Sequence, residues 1–200
     1  MKKLSIILIS FIFIFKISSA NTYSSDPQMF IEELINDAVN KLSDKNISKD
    51  EKAKFIEEIA IENVDINALG LYTLGELRKS TDKNSLNEYQ QTFQKYFLKS
   101  LTSRLTDYSS SKLEVISSEK KSSNYTIVKS KILEYDSKPE IKIDWRVITK
   151  DPDNPLIIDL VIEGVSLAKV QKEEFNSIIQ SNDGDINALF KNLKEFVEKE

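Results

Sequence analysis

The stretch from Leu156 to Phe175, LIIDLVIEGVSLAKVQKEEF, constrains the fold of this chain most. Apolar residues stand at every second position of its first half, namely Leu156, Ile158, Leu160 and Ile162. This alternation predicts a strand with one face on a core. Gly164 then permits a turn that a side chain would obstruct, and Ser166 can cap the following helix through its hydroxyl. We therefore expect a strand that leaves a sheet and leads directly into an amphipathic helix.

Helices are predicted on both sides of a run of strands. Before residue 108 the apolar spacing predicts four helices, and the Ser48–Glu51 capping box and Asp65 mark the starts of the second and third. The predicted strands span roughly residues 112–119, 124–136, 140–150 and 156–163. Two further helices follow, separated by a break at residues 182–185. We predict an α+β domain in which several helices pack on an antiparallel sheet of about four strands.

The first twenty residues are typical of a secretory signal peptide. Two lysines precede an apolar run from Leu4 to Phe15, and residues 18–20, SSA, are small enough for a cleavage site. The run is too short to cross a bilayer, which takes about 20 apolar residues. We predict a cleavable leader over residues 1–20, a single domain over residues 21–200, and export across a membrane.

The charge of the chain that remains argues against several classes of partner. Loss of Lys2, Lys3 and Lys16 with the leader leaves 25 basic residues against 32 acidic ones, a net charge of −7. Nucleic-acid binding needs a basic footprint, so we predict no nucleic-acid partner. Adsorption to anionic lipid through charge alone is disfavoured for the same reason.

Few residues are suited to catalysis. There is no His to act as a general base near neutral pH, and no Cys to act as a nucleophile or to form disulfides. Asp144 and Asp159 each fall on a predicted strand. If both were buried, their carboxylates could act as the acid and base of an isomerase or hydrolase. Alternation with apolar neighbours instead predicts that both carboxylates face solvent. We therefore predict that the chain is not an enzyme and that it binds neither a metal nor a cofactor. An isomerase or hydrolase remains the alternative.

The string IDLVIEGVSL at residues 158–167, followed by Phe175, resembles the MlaC family of periplasmic phospholipid-binding proteins. EGVSL is the most specific part, and the resemblance extends in order over nearly all of the chain after position 20. The string IDWR at residues 143–146 stands where the family has a Val-Asp-Tyr-Arg-like strand. The chain departs from the family at Gln171 and Lys172, where a Tyr-Arg pair is usual, and a lysine lacks the bidentate fork of arginine.

The resemblance implies a monomeric phospholipid carrier in the periplasm, with the acyl chains in an apolar cavity between helices and sheet. It also implies two partners, an outer-membrane lipoprotein complex and the lipid-binding ring of an inner-membrane ABC transporter, between which the carrier would maintain outer-membrane lipid asymmetry. The residues predicted to contact the ligand are Leu69, Tyr72, Leu74, Phe93, Phe97, Leu101, Ile143, Trp145, Val147, Ile158, Leu160, Ile162, Val165, Leu167 and Phe175.

Residue patterns by themselves do not distinguish a cavity wall from a filled core. Taken one by one, large apolar residues such as Phe93, Trp145 and Phe175 are more typical of an ordinary core. A secreted adaptor that binds no ligand is therefore the second alternative, beside the isomerase or hydrolase.

Overall fold

The structure is a computed structural model that describes residues 23–106, 113–133 and 139–199. The predicted signal peptide lies outside the described residues, as does the end of the second predicted strand. The helices are α1 (Pro27–Ser43), α2 (Lys49–Asn63), α3 (Ile66–Thr73), α4 (Lys83–Leu105), α5 (Leu167–Gln180) and α6 (Ile186–Glu198), with a 3-10 turn at Gly75–Lys79. The strands are β1 (Leu113–Ser122), β2 (Tyr125–Ile132), β3 (Ile141–Asp151), β4 (Asn154–Ile162) and β5 (Val165–Ser166).

Side-chain caps set the starts of the helices. Ser48 and Glu51 form the predicted capping box at α2, in which each side chain bonds the other residue's backbone amide. Asp65 caps α3. The Ser166 hydroxyl accepts a hydrogen bond from the Lys169 amide, so the predicted start of α5 is confirmed.

All five strands lie in one antiparallel sheet, in the chain order β1-β2-β3-β4-β5. This confirms the α+β fold and corrects the number of strands from four to five. The additional strand, β5, forms because a two-residue turn at Glu163 and Gly164 returns the chain along β4. Both turn residues have positive φ, 48° and 82°, as tight hairpins require. Glycine adopts that conformation without a steric penalty.

A β-bulge in β4 changes which residues of that strand face the core. Arg146 of β3 pairs with Asp159 and Val147 pairs with Ile157, so Ile158 lies between two pairs without a partner of its own. Ile157 is therefore buried beside Val147, whereas Ile158 is only half-buried. The prediction that strict alternation places Ile158 on the core face is wrong, because the extra residue reverses the alternation at that point.

Buried side chains form two cores. The first lies where α1 packs on the sheet, and we call it the sheet core; it consists of Phe30, Ile31, Leu34, Ile35, Val128, Val147 and Ile157. The second lies among α3, α4, α5 and α6, and we call it the helical core; it consists of Ile66, Leu74, Tyr89, Phe93, Phe175, Ile179, Leu189, Phe190 and Leu193.

The two cores meet at Val64, just after α2. Val64 packs on both cores and forms a parallel bridge with Ile157 of β4. The Asp65 amide donates a hydrogen bond to the Ile157 carbonyl at 2.9 Å. We call this boundary, marked by Val64 and Ile157, the seam. Helix α5 connects its two sides, since it begins beside β4 and contributes Phe175 to the helical core.

Candidate ligand-binding site

The structure places the residues predicted to contact a ligand in several environments. Those in or against the helical core are Leu69, Leu74, Phe93, Phe97 and Phe175. Those in or against the sheet core are Trp145, Val147 and Leu160. Those exposed at the surface are Tyr72, Val165 and Leu167. Elsewhere Ile143 is buried, and the half-buried ones are Leu101, Ile158 and Ile162. The first two groups lie on opposite sides of the seam, and contact of any of these residues with a ligand stays a prediction.

A row of aromatic rings along α4 forms the centre of the helical core. The Phe93 ring lies 5.8 Å from the Tyr89 ring and 6.3 Å from the Phe97 ring, and it meets Phe175 of α5 edge-on at 6.2 Å. These are the centroid separations of aromatic pairs in direct contact. Gly70 of α3 permits the close approach of the two helices, because a Cβ atom there would lie 2.9 Å from Cδ1 of Phe93. The predicted wall residues on this side thus pack against one another.

The Tyr89 hydroxyl ties α4 to α3 inside the helical core. Its oxygen lies 2.8 Å from the Thr73 hydroxyl, and it donates to the Gly70 carbonyl at 3.2 Å. Burial raises the pKa of the Tyr89 phenol well above its ordinary value, because the phenolate would lose its hydration. The phenol therefore stays neutral at physiological pH and acts as a buried hydrogen-bonding group.

Tyr96 lies at the edge of the helical core and was not among the predicted site residues. Its ring is 4.9 Å from that of Phe196 and 5.7 Å from that of Phe175, and its hydroxyl donates to Gln171 at 3.2 Å. Burial raises its pKa, although the hydrogen bond to Gln171 acts in the opposite direction. Its spacing of three residues from Phe93 places it on the same side of α4, a signal that could have revealed it.

On the sheet side, Trp145 is held in one orientation. Its indole Nε1 donates a hydrogen bond to the Ser130 hydroxyl at 2.8 Å, and that hydroxyl donates to the Ile143 carbonyl at 3.3 Å. Ser130 is almost fully buried. The ring is half-buried and packs against the sheet core. Since its polar nitrogen is satisfied within the sheet, the rest of the ring is free to make apolar contacts.

Asp159 does not face solvent, so the prediction made for it is wrong. The residue is only 8% exposed. Its carboxylate accepts hydrogen bonds from the Ser166 hydroxyl at 2.6 Å and the Ala168 amide at 2.9 Å, and Nη1 of Arg146 lies 3.2 Å away. Asp144 is half-buried. Pairing with an arginine and the start of a helix points to a structural role for Asp159.

The polar partners of Asp159 explain why the alternation of apolar and polar residues on β4 wrongly predicted that its carboxylate faces solvent. A carboxylate on a mostly apolar strand can be buried when a cation and backbone amides surround it. The sequence contains both signals, since Arg146 lies on the neighbouring strand and the helix start at Ser166 follows seven residues later. Neither signal reveals a partner of Asp159 until the register of β3 and β4 is known.

Two depressions in the described surface are polar. One, of about 230 Å³, is lined only by carboxamides: Asn67, Asn87, Gln90, Gln91 and Gln94. The other, of about 430 Å³, has mainly charged and polar walls, formed by Ser85, Glu88, Asn187, Phe190, Lys191, Lys194, Glu195 and Glu198. Neither is the apolar cavity that the resemblance implies. Eight of the predicted wall residues instead pack in or against the two cores.

Across residues 23–106, 113–133 and 139–199, no group of three or more acidic side chains is placed to hold a metal ion. Within the same ranges, no helix is both long and apolar enough to span a membrane.

The family model and the solved structure that match this chain agree with each other. The family model described as MlaC protein matches residues 30–195. A solved phospholipid-binding protein from Ralstonia solanacearum, in complex with a phospholipid, superposes with a TM-score of 0.69 at 15% sequence identity. The superposition covers 85% of this chain and 96% of that one, which shows a shared fold. Comparison with curated protein sequences gives no match.

Proposed function

The chain belongs to the MlaC family, whose model spans residues 30–195, and on that premise we propose that it is a phospholipid carrier. The family match is the observation that carries the proposal. The Ralstonia solanacearum protein of the same fold, which binds a phospholipid, supports it. This function requires binding and release of lipid and no chemical step, in agreement with the absence of His and Cys from the chain.

The acyl chains would lie between the helical core and the sheet core. Phe93, Phe97 and Phe175, which pack in or against the helical core, would border this space on one side, and Trp145 and Leu160, which pack against the sheet core, would border it on the other. Two acyl chains carry roughly 30 methylenes, and at ~0.8 kcal/mol each their exposure to water costs about 24 kcal/mol. A carrier must therefore replace nearly all contacts of the bilayer with its own apolar side chains. Rearrangement of the two cores would supply that surface.

We place this activity in the periplasm. The leader at residues 1–20 would direct export and then be removed. The carrier would move glycerophospholipid between an outer-membrane lipoprotein complex and the lipid-binding ring of an inner-membrane ABC transporter, as a monomer. The net charge of −7 without the leader favours recognition through the acyl chains over recognition through an anionic head group.

The decisive experiment is organic extraction of the protein purified from cells without detergent, followed by mass spectrometry. We expect about one phospholipid per chain, since a pocket of this kind encloses most of its ligand. The lipid-free protein, prepared by unfolding and refolding, should take up fluorescent phospholipid from vesicles. A protein that carries no lipid and takes up none would contradict the proposal and favour an adaptor without ligand.

A further inference from the structure

The carboxylate of Asp159 joins three elements of the chain. It lies on β4 and is contacted by Arg146 of β3, by the Ser166 hydroxyl at the end of β5, and by the Ala168 amide in the first turn of α5. Its negative charge is stabilised by the guanidinium and by the Ala168 amide at the start of the helix. These contacts attach the first turn of α5 to the sheet.

The rest of α5 belongs to the other side of the seam. Phe175 and Ile179, two and three turns further on, are buried in the helical core. The helix is therefore attached to the sheet at its first turn by a polar network and to the helical core by apolar packing. Movement of the helical core away from the sheet must either break the network around Asp159 or carry the sheet edge along.

We propose that Arg146, Asp159 and Ser166 form a latch that controls how fast a lipid enters between the two cores. This rests on the proposed function, and it names positioning residues for it. While the latch is closed, α5 holds the cores together. When it opens, the helical core can move away from the sheet and expose the apolar surfaces on both sides of the seam.

Three features suit the network to open and close. The Arg146 side chain is 40% exposed, so water can hydrate the guanidinium as soon as it leaves the carboxylate. Its Nε is buried without a hydrogen-bond partner, so the arginine is held less firmly than in a bidentate pair. The turn at Glu163 and Gly164 beside it has free space, because no atom lies within 4 Å of a Cβ built on Gly164.

The test compares Asp159→Asn with Asp144→Asn. The first removes the charge at the centre of the latch, and the second removes the same charge from the neighbouring strand, where the carboxylate is half-buried and outside the network. Lipid-free protein is mixed with vesicles of phosphatidylethanolamine and phosphatidylglycerol that contain a fluorescent phospholipid, and the rate of uptake is measured. We expect Asp159→Asn to load about tenfold faster than wild type, as the loss of a charge-assisted hydrogen bond allows, with the same final occupancy. Asp144→Asn should load at the wild-type rate.

Milder variants keep the test decisive if Asp159→Asn does not fold. Ser166→Ala removes one donor and should load faster, whereas Ser166→Thr keeps the hydroxyl and should restore the wild-type rate. A role in folding alone would lower stability in Ser166→Ala without raising the loading rate, which would overturn the latch. Wild-type protein that takes up no lipid would overturn the proposed function itself. If the wild-type protein takes up lipid and Asp159→Asn takes it up no faster, the latch is overturned and the proposed function is not. Ser166→Ala replaces Asp159→Asn in this comparison where the latter does not fold.

Discussion

In the sheet core, the strands are joined along their lengths by backbone hydrogen bonds, and α1 packs its apolar side chains on them. In the helical core, α3, α4, α5 and α6 meet through side chains, among them the stacked rings of Tyr89 and Phe93 and the edge-on contact of Phe93 with Phe175. A sheet cannot widen without breaking its ladder, whereas helices can shift when their side chains repack. If the chain carries a phospholipid as proposed, the difference predicts that space for the acyl chains comes from movement of the helical core.

The largest expected effect tests this difference directly with two matched truncations. Phe30 of the sheet core and Phe93 of the helical core are both almost fully buried. Truncation of a buried Phe to Ala costs ~3–5 kcal/mol, and the cost rises when the surroundings cannot close the cavity. We expect Phe30→Ala to lie at the upper end of this range and Phe93→Ala at the lower end, measured by urea denaturation of lipid-free protein. An equal or greater loss in Phe93→Ala would show that the helical core is at least as rigid as the sheet core.

The second prediction concerns the contact between α3 and α4. Gly70→Ala places a methyl group 2.9 Å from the Phe93 ring. Overpacking costs ~1–3 kcal/mol, which the better helix propensity of Ala reduces by about 1 kcal/mol. We therefore expect a net loss of about 1 kcal/mol in the free energy of unfolding, and no loss in the exposed control Asn67→Ala. A Gly70→Ala variant more stable than wild type would show that these helices separate at little cost.

Much of the fold could be predicted from the sequence, because local signals determine it. The capping residues Ser48, Asp65 and Ser166 mark the helix starts where the structure has them. The turn at Gly164 was also evident, since few residues other than glycine tolerate its φ of 82°. The two-residue strand after it was missed, because two residues are too few to show a period.

The candidate site was harder to predict, because it depends on which elements cover each face. Phe93 and Trp145 are both predicted to line the ligand cavity. In the structure, Phe93 lies in the helical core and Trp145 packs against the sheet core. Tyr72 has the same helical spacing as buried residues and is nevertheless exposed, with the Lys172 ammonium 5.2 Å from the centre of its ring. Periodicity reports that a residue is on an apolar face, but it does not report what packs on that face.

The third prediction uses the buried phenol of the helical core. At neutral pH, Tyr89→Phe should cost about 1 kcal/mol, because Thr73 and the Gly70 carbonyl lose a hydrogen-bond partner. Burial raises the pKa of Tyr89 in the folded protein above the value of 10.0 in an unfolded chain. The unfolded chain therefore releases its proton first, and the stabilisation is lost as the pH rises above about 10. Urea midpoints across that range should fall less steeply in Tyr89→Phe than in wild type. A slope equal to the wild type's would show that solvent reaches the phenol.

The smallest effect on stability is expected at Phe97, where the aromatic row ends. The residue is half-buried and packs against the helical core through Phe93. In a close-packed site, Phe97→Trp would cost ~1–3 kcal/mol through overpacking. If Phe97 instead borders the space that the acyl chains occupy, the larger ring displaces ligand atoms. The urea midpoint of lipid-free protein should then be nearly unchanged, while the lipid recovered per chain falls.

Phe55→Trp provides the matched control for that experiment, because Phe55 is a half-buried ring on α2 that belongs to neither core. It should change neither the urea midpoint nor the lipid content. The urea midpoint and the lipid content of Phe97→Trp together show whether Phe97 lines the lipid space or belongs to a packed core. A large stability loss without a change in lipid content would place Phe97 in a packed core. An unchanged midpoint with reduced lipid content would place Phe97 at the wall of the lipid space.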